Sequence, residues 1–385
     1  MDFRLNEELR SMKELAREFT DEKIAPFANK WGAEHHFPLG VVQEIGQLGF
    51  FGCPIPEEYG GSDTGYLAQT LVCEEVARGS SSLRVAFNTQ CLGTALSILR
   101  YGTDEQKRRW IPDLIRAKKL GCFAISEPNA GSDLMSMATK AIPDGDGFVL
   151  NGSKTWISLA PRADMAVVYA YHDKEAGSKG LSAFLVDMHL AGVSTRDLDK
   201  LGTHSFPTGE ISFEDVRLPG DALLGELGDG AEIVFSSLNQ TRLSCAAGAV
   251  GLAQACLDAA TRHCNERYQF GQPVGKFQMN QEMIAATAAE IEAARLLTYR
   301  AAWQKDQGDL GNVLETSYAK YVGAETVVRA AHNAMKILSS YGYSTEYPVA
   351  RYYRDAVVYQ IVEGTTNVQK MVIAQNQLGY RKANR

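Results

Sequence analysis

The sequence predicts an α+β protein made of three consecutive units. Apolar residues recur every three or four positions through residues 1–120, a spacing typical of amphipathic helices. Short segments rich in β-branched and aromatic residues replace them over residues 121–228, and helical spacing returns over residues 229–385. We therefore expect an N-terminal helical domain, a middle antiparallel β-barrel or sandwich domain, and a C-terminal four-helix bundle.

The N-terminal unit contains five predicted helices and one Pro/Gly-rich loop at residues 52–61. The predicted helices cover residues 6–30, 38–51, 66–78, 82–100 and 104–116. The segment 82–100 is almost entirely apolar or small, so we expect it to be a buried helix.

The middle unit is predicted to be a set of strands at residues 148–158, 165–171, 181–186 and 210–214. Asp-Gly and Asn-Gly pairs lie between or beside them, and no helical segment separates them, which favours antiparallel pairing. After a linker at residues 225–230, bundle helices are predicted at residues 231–267, 278–307, 312–341 and 348–355, with a last helix starting near Thr365.

Composition excludes several classes of protein. The 385 residues are 45% hydrophobic and 22% charged, as in globular proteins, and the net charge of −7 with scattered basic residues argues against nucleic-acid binding. No run of eighteen apolar residues predicts a membrane span, and no signal or transit peptide is recognised. The seven cysteines show no CxxC or Cys/His ligand spacing, so we expect reduced, buried thiols, no metal site and a cytoplasmic location.

A stretch near the C-terminus contains the strongest candidate for catalysis. Glu363 follows a run of apolar and aromatic residues, and a poorly solvated carboxylate acts as a proton acceptor. Gly364 would let a ligand approach the backbone closely, and Thr365 to Asn367 could open a helix whose free N–H groups bind a phosphate. Taken alone, the stretch also fits an ordinary helix end.

A second stretch, residues 123–133 (FAISEPNAGSD), opens the predicted β unit. Backbone amides and the hydroxyls of Ser126 and Ser132 could bind the polar edge of a cofactor. Trp156 and Ser158 end a predicted strand, and the large aromatic ring suits one face of a planar ligand. A Gly-Ser-Asp turn by itself is equally compatible with a simple loop.

Five motifs in sequence order resemble the flavin-dependent acyl-CoA dehydrogenase family over essentially the whole chain. They are SEPNAGSD at 126–133, NGSKTWIS at 151–158, ERYQFG at 266–271, YSTEYP at 343–348 and EGT at 363–365. The resemblance implies FAD as cofactor, an acyl-CoA substrate, Glu363 as the catalytic base and an enoyl-CoA product. It also implies electron-transferring flavoprotein as electron acceptor and a homotetramer. The chain looks most similar to dehydrogenases of anaerobic bacteria, so a bacterial cytoplasm is expected.

The resemblance also assigns cofactor contacts. The residues that would line the flavin are Phe123, Ile125, Ser126, Ser132, Trp156 and Ser158. The residues that would reach the FAD of a neighbouring subunit are Arg267, Gln269, Phe270 and Gln278. A surface ion pair is the alternative interpretation of Arg267. Thr365 and Asn367 match helix-start residues that hold the FAD, although relatives usually have Gln in place of Asn367.

Substrate contacts follow from the same resemblance. Asn239 and Arg242 match residues that contact the pantetheine and phosphates of CoA, with Asn239 replacing a common Asp, and Ser132 would also touch the pantetheine. Gly364 lies next to the base. Arg84, Asn88 and Cys91 fall at positions i, i+4 and i+7 of the predicted helix 82–100, so we expect them on one face of the acyl pocket.

The acyl group itself is left open between several classes. Arg84 matches an arginine that glutaryl-CoA dehydrogenases direct at the distal carboxylate, but it could instead pair with an internal acid. Val362 replaces the tyrosine of decarboxylating relatives, which argues against decarboxylation. Uncharged Gln90 and Cys91 favour an alicyclic ring, and the sequence prediction is a cyclohexane- or cyclohexene-carboxyl-CoA thioester. Non-decarboxylating glutaryl-CoA dehydrogenase, a short-chain acyl-CoA dehydrogenase and an inactive flavoprotein scaffold are the alternatives.

Overall fold

The computed structural model describes residues 4–380, and its N-terminal part is helical as expected. The helices are α1 (Glu7–Phe19), α2 (Ala28–Ala33), α3 (Leu39–Gln47), α4 (Gly65–Gly79), α5 (Ser81–Phe87), α6 (Ala95–Tyr101) and α7 (Asp104–Ile115). The predicted helix 6–30 is divided in two. Helix α1 continues through the π-helical turn Thr20–Ile24 and stops beside Pro26, which has no N–H to donate.

The prediction of one continuous helix over residues 82–100 is wrong. Helix α5 passes into the π-helical turn Asn88–Leu92, in which the Gly93 N–H donates to the Asn88 carbonyl at 2.8 Å. A Cβ atom on Gly93 would come within 2.5 Å of the Phe123 ring, so only glycine fits this crossing. Each residue of a π-helical turn rotates the chain less than an α-helical residue does, and the face predicted from α-helical spacing is therefore not maintained.

The middle part is a mostly antiparallel β-sheet. Its strands are β1 (Gly121–Ala124), β2 (Lys140–Asp144), β3 (Gly147–Ser158), β4 (Met165–Tyr171), β5 (Leu181–Asp187), β6 (Val193–Asp197), β7 (Thr208–Leu218) and β8 (Leu223–Leu224). The order is β6-β7-β3-β2-β4-β5-β8, and β1 pairs with β4. The exceptions to the antiparallel prediction are β1 with β4 and a single residue pair between β2 and β4, both parallel. Strand β1 begins just after helix α7 and not from a hairpin, so it is free to enter the sheet in the direction of β4.

The C-terminal part is the expected helical bundle. Its elements are α8 (Gly230–Glu266), the short strands β9 (Tyr268–Gln269) and β10 (Gln272–Pro273), α9 (Gln278–Asp306), α10 (Val313–Leu338), α11 (Ser340–Tyr343), α12 (Pro348–Ala356) and α13 (Thr366–Leu378). Helix α8 packs against α9, α10 and α4, and α13 packs against α10. Small residues allow the close packing, since a Cβ atom on Gly251 would lie 2.1 Å from the Glu74 carbonyl oxygen.

Helix α8 is long and apolar enough to cross a membrane by length and composition alone, but 78% of its most apolar window is buried inside the protein. All seven cysteines are buried and unpaired, as predicted for reduced thiols. Within residues 4–380, no group of three or more His, Cys, Asp or Glu side chains is arranged to hold a metal ion.

Candidate active site

A cavity of about 410 Å³ lies where the three parts of the chain meet, and we call it the central cavity. It is lined by Arg84, Val85, Asn88, Phe123, Trp156, Ser158, the loop residues Lys200 to Thr203, Phe206, Thr208, Arg354, Val357, Val358, Ile361, Val362 and Glu363. A wider cleft of about 930 Å³ contains His35 and His204 but none of the predicted site residues. Six of the predicted site residues line the central cavity, although it is smaller than the cleft: Arg84, Asn88, Phe123, Trp156, Ser158 and Glu363.

Glu363 sits in a strained turn at the floor of the cavity. Its φ of +59° and the φ of +82° at Gly364 place two successive residues in the left-handed region, which costs a non-glycine residue about 1–3 kcal/mol. A Cβ atom on Gly364 would lie 2.8 Å from Nε2 of Gln369 and 3.2 Å from a guanidinium nitrogen of Arg242. Position 364 therefore requires glycine for its backbone conformation and for the space around it.

Both oxygens of the Glu363 carboxylate accept hydrogen bonds. Asn88 Nδ2 donates to Oε1 at 2.8 Å, and Thr241 Oγ1 donates to Oε2 at 2.5 Å. The Ser244 hydroxyl in turn donates to Oδ1 of Asn88. Thr241 and Ser244 are three residues apart on α8, so they share one face of that helix. Neither hydroxyl was predicted from the sequence, because only the three-dimensional fold brings Thr241 and Ser244 to the motif residues.

Arg242 stabilises the turn at Glu363 and Gly364 through a backbone contact. Its Nε donates to the backbone carbonyl of Glu363 at 2.9 Å, and burial lowers the pKa of the guanidinium. Of the predicted CoA contacts, Asn239 is almost fully buried, donates from Nδ2 to the Leu310 carbonyl at 3.0 Å and leaves Oδ1 without a partner in the described chain. Neither residue lines the central cavity, whereas Ser132 lies exposed in the loop after β1.

Arg84 is 2% exposed and lines the central cavity. Among residues 4–380, no carboxylate oxygen lies within 4.0 Å of its guanidinium, and its Nε has no hydrogen-bond acceptor. The internal acid that was the alternative partner is thus not found in the described chain. The guanidinium carbon instead lies 5.1 Å from the ring centre of Tyr359.

Cys91 does not lie with Arg84 and Asn88, and this part of the predicted acyl face needs correction. The π-helical turn that starts at Asn88 rotates Cys91 away from the cavity and into the core of the N-terminal domain. Its thiol is completely buried, and burial raises its pKa well above the ordinary value. Cys91 is therefore a core residue of this fold.

The opposite wall of the cavity contains the side chains predicted to face a flavin. Trp156 is 60% exposed and has a φ of +60°. It lies where the pairing of β3 with β7 shifts register, and this irregularity turns its ring out of the sheet. Phe123 and Ser158 also line the cavity. Ile125 is buried behind them, and the Ser126 carbonyl accepts from the Thr155 N–H at 2.9 Å, which joins the two motifs.

A buried ion pair, which the sequence analysis missed, fixes the same two motifs together. Lys154 Nζ donates to Glu127 Oε1 at 2.8 Å and to the Ile125 carbonyl at 3.1 Å. Glu127 also accepts from the backbone N–H of Thr139 at 3.0 Å and from that of Ala138. Burial lowers the pKa of Lys154 to about 8, and the Glu127 charge opposes this effect. The pair anchors both ends of the loop that contains Ser132.

Helix α13 begins next to Glu363. Thr365 Oγ1 accepts from the Val368 N–H at 3.2 Å and caps the helix, while the N–H groups of Thr366 and Asn367 have no acceptor in the described chain. Free amides at a helix start bind anionic groups. These amides, the Trp156 and Phe123 rings and the Ser158 hydroxyl together fit FAD, which has a flat ring with polar edges and a diphosphate.

The remaining predicted FAD contacts lie away from the central cavity of the same chain. Arg267, Gln269 and Phe270 form the β9–β10 hairpin region, and Gln278 begins α9; all four are exposed. Phe270 is 93% exposed, and the Arg267 guanidinium lies 5.4 Å from the ring centre of Tyr341. A single chain does not bring these residues to its own cavity.

Comparisons with known proteins agree with this geometry. Models of the acyl-CoA dehydrogenase N-terminal, middle and C-terminal domains match residues 6–118, 122–216 and 228–378. The chain is 56% identical over 389 residues to glutaryl-CoA dehydrogenase of Desulfococcus multivorans, with 100% of both chains covered. It is 40% identical to the mitochondrial short-chain specific acyl-CoA dehydrogenase of Sus scrofa, covering 97% of this chain and 91% of the relative.

A solved structure of a glutaryl-coenzyme A dehydrogenase glutaryl-CoA complex superposes with a TM-score of 0.98 at 56% identity, covering 100% of this chain and 98% of that one. The alicyclic substrate favoured by the sequence analysis finds no support in these comparisons. The resemblance seen in the five motifs is confirmed over the full length. The chain belongs to the acyl-CoA dehydrogenase family and is an FAD-dependent acyl-CoA dehydrogenase.

Proposed function

We propose that this protein oxidises glutaryl-CoA to glutaconyl-CoA without decarboxylation. The observation that carries the proposal is Arg84, a buried cation that lines the central cavity together with Glu363 and has no carboxylate partner in residues 4–380. An unpaired buried charge costs several kcal/mol, so the cavity favours a ligand that brings a carboxylate to it. The distal carboxylate of glutaryl-CoA is such a group, and two parallel N–H···O bonds suit its geometry.

Two further observations support this choice. The relative that is 56% identical over the full chain is named a glutaryl-CoA dehydrogenase. Arg354 and Lys200 also line the cavity, so cationic side chains outnumber the single carboxylate there. A neutral ring or a butyryl chain would leave the Arg84 guanidinium unpaired.

In the proposed reaction Glu363 removes the α-proton of the thioester. Asn88 and Thr241 orient its carboxylate, and Arg242 holds the turn through the Glu363 carbonyl. The Glu363 N–H has no acceptor in the described chain and is available to the thioester carbonyl, where it would stabilise the charge that develops as the proton leaves. Phe123, Trp156 and Ser158 would hold the flavin ring at the cavity wall, where FAD would supply an acceptor for the hydride that leaves the β-carbon as the α,β double bond forms.

Val362 supports a reaction that stops at glutaconyl-CoA. It lies beside the base, lines the cavity and presents only methyl groups where decarboxylating relatives carry a tyrosine. Loss of carbon dioxide requires the distal carboxylate to leave its cation, and Val362 offers that carboxylate no competing hydrogen bond. Arg84 therefore remains its partner through the reaction.

The wider assembly is part of the same proposal. Exposed apolar side chains on the bundle, among them Phe270, Met279 and Tyr343, favour a homotetramer in which the Arg267 hairpin reaches the FAD of a neighbouring subunit. The proposed electron acceptor is electron-transferring flavoprotein. The proposed CoA contacts are Asn239 and Ser132. The proposed location is a bacterial cytoplasm. We further propose domain limits of 1–120, 121–228 and 229–385.

The test is anaerobic bleaching of the flavin by four thioesters, with products identified by mass. Glutaryl-CoA should bleach the purified yellow protein at the lowest concentration and give glutaconyl-CoA, whereas butyryl-CoA, cyclohexanecarboxyl-CoA and cyclohex-1-ene-carboxyl-CoA should require far higher concentrations. Arg84→Met is the matched variant and should lose the preference for glutaryl-CoA. Bleaching by the ring thioesters alone, or crotonyl-CoA as the product of glutaryl-CoA, would overturn the proposal.

A further inference from the structure

We propose that Tyr359 is a positioning residue that holds Arg84 as an unneutralised cation and thereby sets the preference for a dicarboxylic thioester. The inference rests on the proposed function and deepens it, because it identifies what prepares the anchor for the distal carboxylate. Tyr359 is completely buried and lies in the 3₁₀ turn Val357–Gln360, four residues before the base Glu363.

The ring of Tyr359 forms a platform for the guanidinium. The Arg84 guanidinium carbon lies 5.1 Å from the ring centre, within the range at which an aromatic face attracts a cation. The Tyr359 hydroxyl lies 2.8 Å from the Ser81 hydroxyl, one helical turn before Arg84. Burial raises the pKa of Tyr359 to about 12, so the ring stays neutral at physiological pH.

Helix α8 also packs against Arg84 and Tyr359. A Cβ atom on Gly248 would lie 2.8 Å from Cγ of Arg84 and 2.8 Å from the Tyr359 hydroxyl oxygen. The path of the Arg84 side chain is therefore fixed between α5, α8 and the 3₁₀ turn. Gly248 lies four residues after Ser244 on α8, so one face of that helix supports both the anchor and the network around the base.

A neutral aromatic ring next to Arg84 leaves this cation available to the substrate, whereas an acidic side chain would not. A carboxylate would occupy the N–H groups of Arg84 and would compete with the carboxylate of the substrate. The Tyr359 ring attracts the cation without adding a negative charge that would compete with the carboxylate of the substrate. Because Tyr359 and Glu363 belong to one short segment, the segment also fixes the anchor relative to the base.

The test distinguishes a role of the Tyr359 ring from a role of its hydroxyl and from a loss of folding. Three variants, Tyr359→Leu, Tyr359→Phe and Ser81→Ala, are compared with the wild type for kcat and KM with glutaryl-CoA and butyryl-CoA. Tyr359→Leu should raise KM for glutaryl-CoA about tenfold, the factor that corresponds to one cation–π contact, and change KM for butyryl-CoA less than twofold. Tyr359→Phe keeps the ring and should stay within about threefold of the wild type for both substrates. Ser81→Ala, which leaves the ring in place, should do the same.

A second measurement does not depend on turnover. Calorimetric titration of glutaryl-CoA and butyryl-CoA into Glu363→Gln and into Glu363→Gln/Tyr359→Leu should show the same selective loss in Kd. Equal losses for both thioesters, or none for either, would overturn the inference and make Tyr359 a packing residue. If the wild type itself does not prefer glutaryl-CoA to butyryl-CoA, the proposed function fails first, and that outcome is visible before any variant is compared. Should Tyr359→Leu not fold, an equal loss for both substrates in Tyr359→Phe would contradict the inference.

Discussion

The side-chain amide of Asn88 lies 2.8 Å from Oε1 of Glu363, joining residues 275 positions apart in the sequence. The contact links the π-helical turn of the N-terminal domain to the strained turn that contains Glu363. Asn88 was expected to line the acyl pocket, and the structure places it in the wall of the central cavity. Its amide also donates to the Glu363 carboxylate, so the break in the helix places Asn88 against the proposed base.

Replacing Asn88 with alanine should lower kcat while leaving the protein folded and yellow. The change removes a hydrogen bond to a charged group, worth about 1.5–3 kcal/mol, and leaves the Glu363 carboxylate held by Thr241 alone. We expect kcat to fall about 10- to 100-fold, measured by single-turnover flavin reduction. Ser244→Ala, which acts only through Asn88, should cause a smaller fall. An Asn88→Ala enzyme with unchanged single-turnover rates would show that Thr241 suffices to orient the base.

Glu363→Gln should abolish turnover without loss of FAD. The amide cannot accept the α-proton, whereas its size and the strained turn are preserved, so a fall of at least about 100-fold is expected. The measurement is flavin bleaching by glutaryl-CoA under anaerobic conditions, with the absorption spectrum as the check on bound flavin. Glu346→Gln, an exposed glutamate in the YSTEYP motif, is the matched control and should behave as wild type. Rates near the wild type in Glu363→Gln would refute the assignment of the base.

The sequence allowed the three-part fold to be predicted from local patterns, whereas the choice of Glu363 as the base came from the family resemblance and stays a prediction. Neighbouring residues alone reveal the helical and strand periodicity, the turn pairs and the glycine after Glu363. The α-helical spacing failed at Cys91, since one π-helical turn changes the rotation of every residue that follows it. Such a turn has no clear sequence signature.

The contacts that orient the site were beyond sequence reasoning for a different reason. Thr241, Ser244 and Tyr359 are ordinary helix or turn residues in the sequence, and their roles arise only when α8 and the 3₁₀ turn pack against α5. The Glu127–Lys154 pair likewise joins two residues that lie 27 positions apart, one in each motif. Long-range pairing of this kind depends on the tertiary fold and not on spacing along the chain.

Gly364→Ala should destabilise the protein and reduce activity together. A side chain at a φ of +82° is strained, and its Cβ would also meet Arg242 and Gln369, so a loss of about 1–3 kcal/mol is expected. Thermal unfolding and single-turnover flavin reduction measure the two effects. Gly379→Ala is the matched control, because Gly379 has a φ of +67° with nothing within 4 Å of an added Cβ. It should lose stability without losing activity. Full activity in Gly364→Ala would contradict the role given to this turn.

Lys305→Met should stabilise the protein, and the gain should shrink as the pH rises. Lys305 is 2% exposed, its Nζ has no hydrogen-bond acceptor in the described chain, and burial lowers its pKa from 10.5 to about 7. Between these two pKa values the unfolded chain binds more protons than the folded chain, so the stability of the wild type rises with pH in this window. The slope from one such group is at most about 1.4 kcal/mol per pH unit.

The methionine variant has no proton to lose at this position, so its advantage over the wild type should be largest at pH 7 and below and should be mostly lost by pH 10. Unfolding midpoints of both proteins at half-unit steps from pH 6.5 to 10 measure the difference directly. Lys107→Met is the control and should show a constant difference across the range, because Lys107 is a partly exposed lysine on α7 whose ion pair in the described chain is with Asp104 at 3.5 Å. A pH-independent gain in Lys305→Met would mean that Lys305 keeps its proton inside the folded protein and that the gain comes from packing alone.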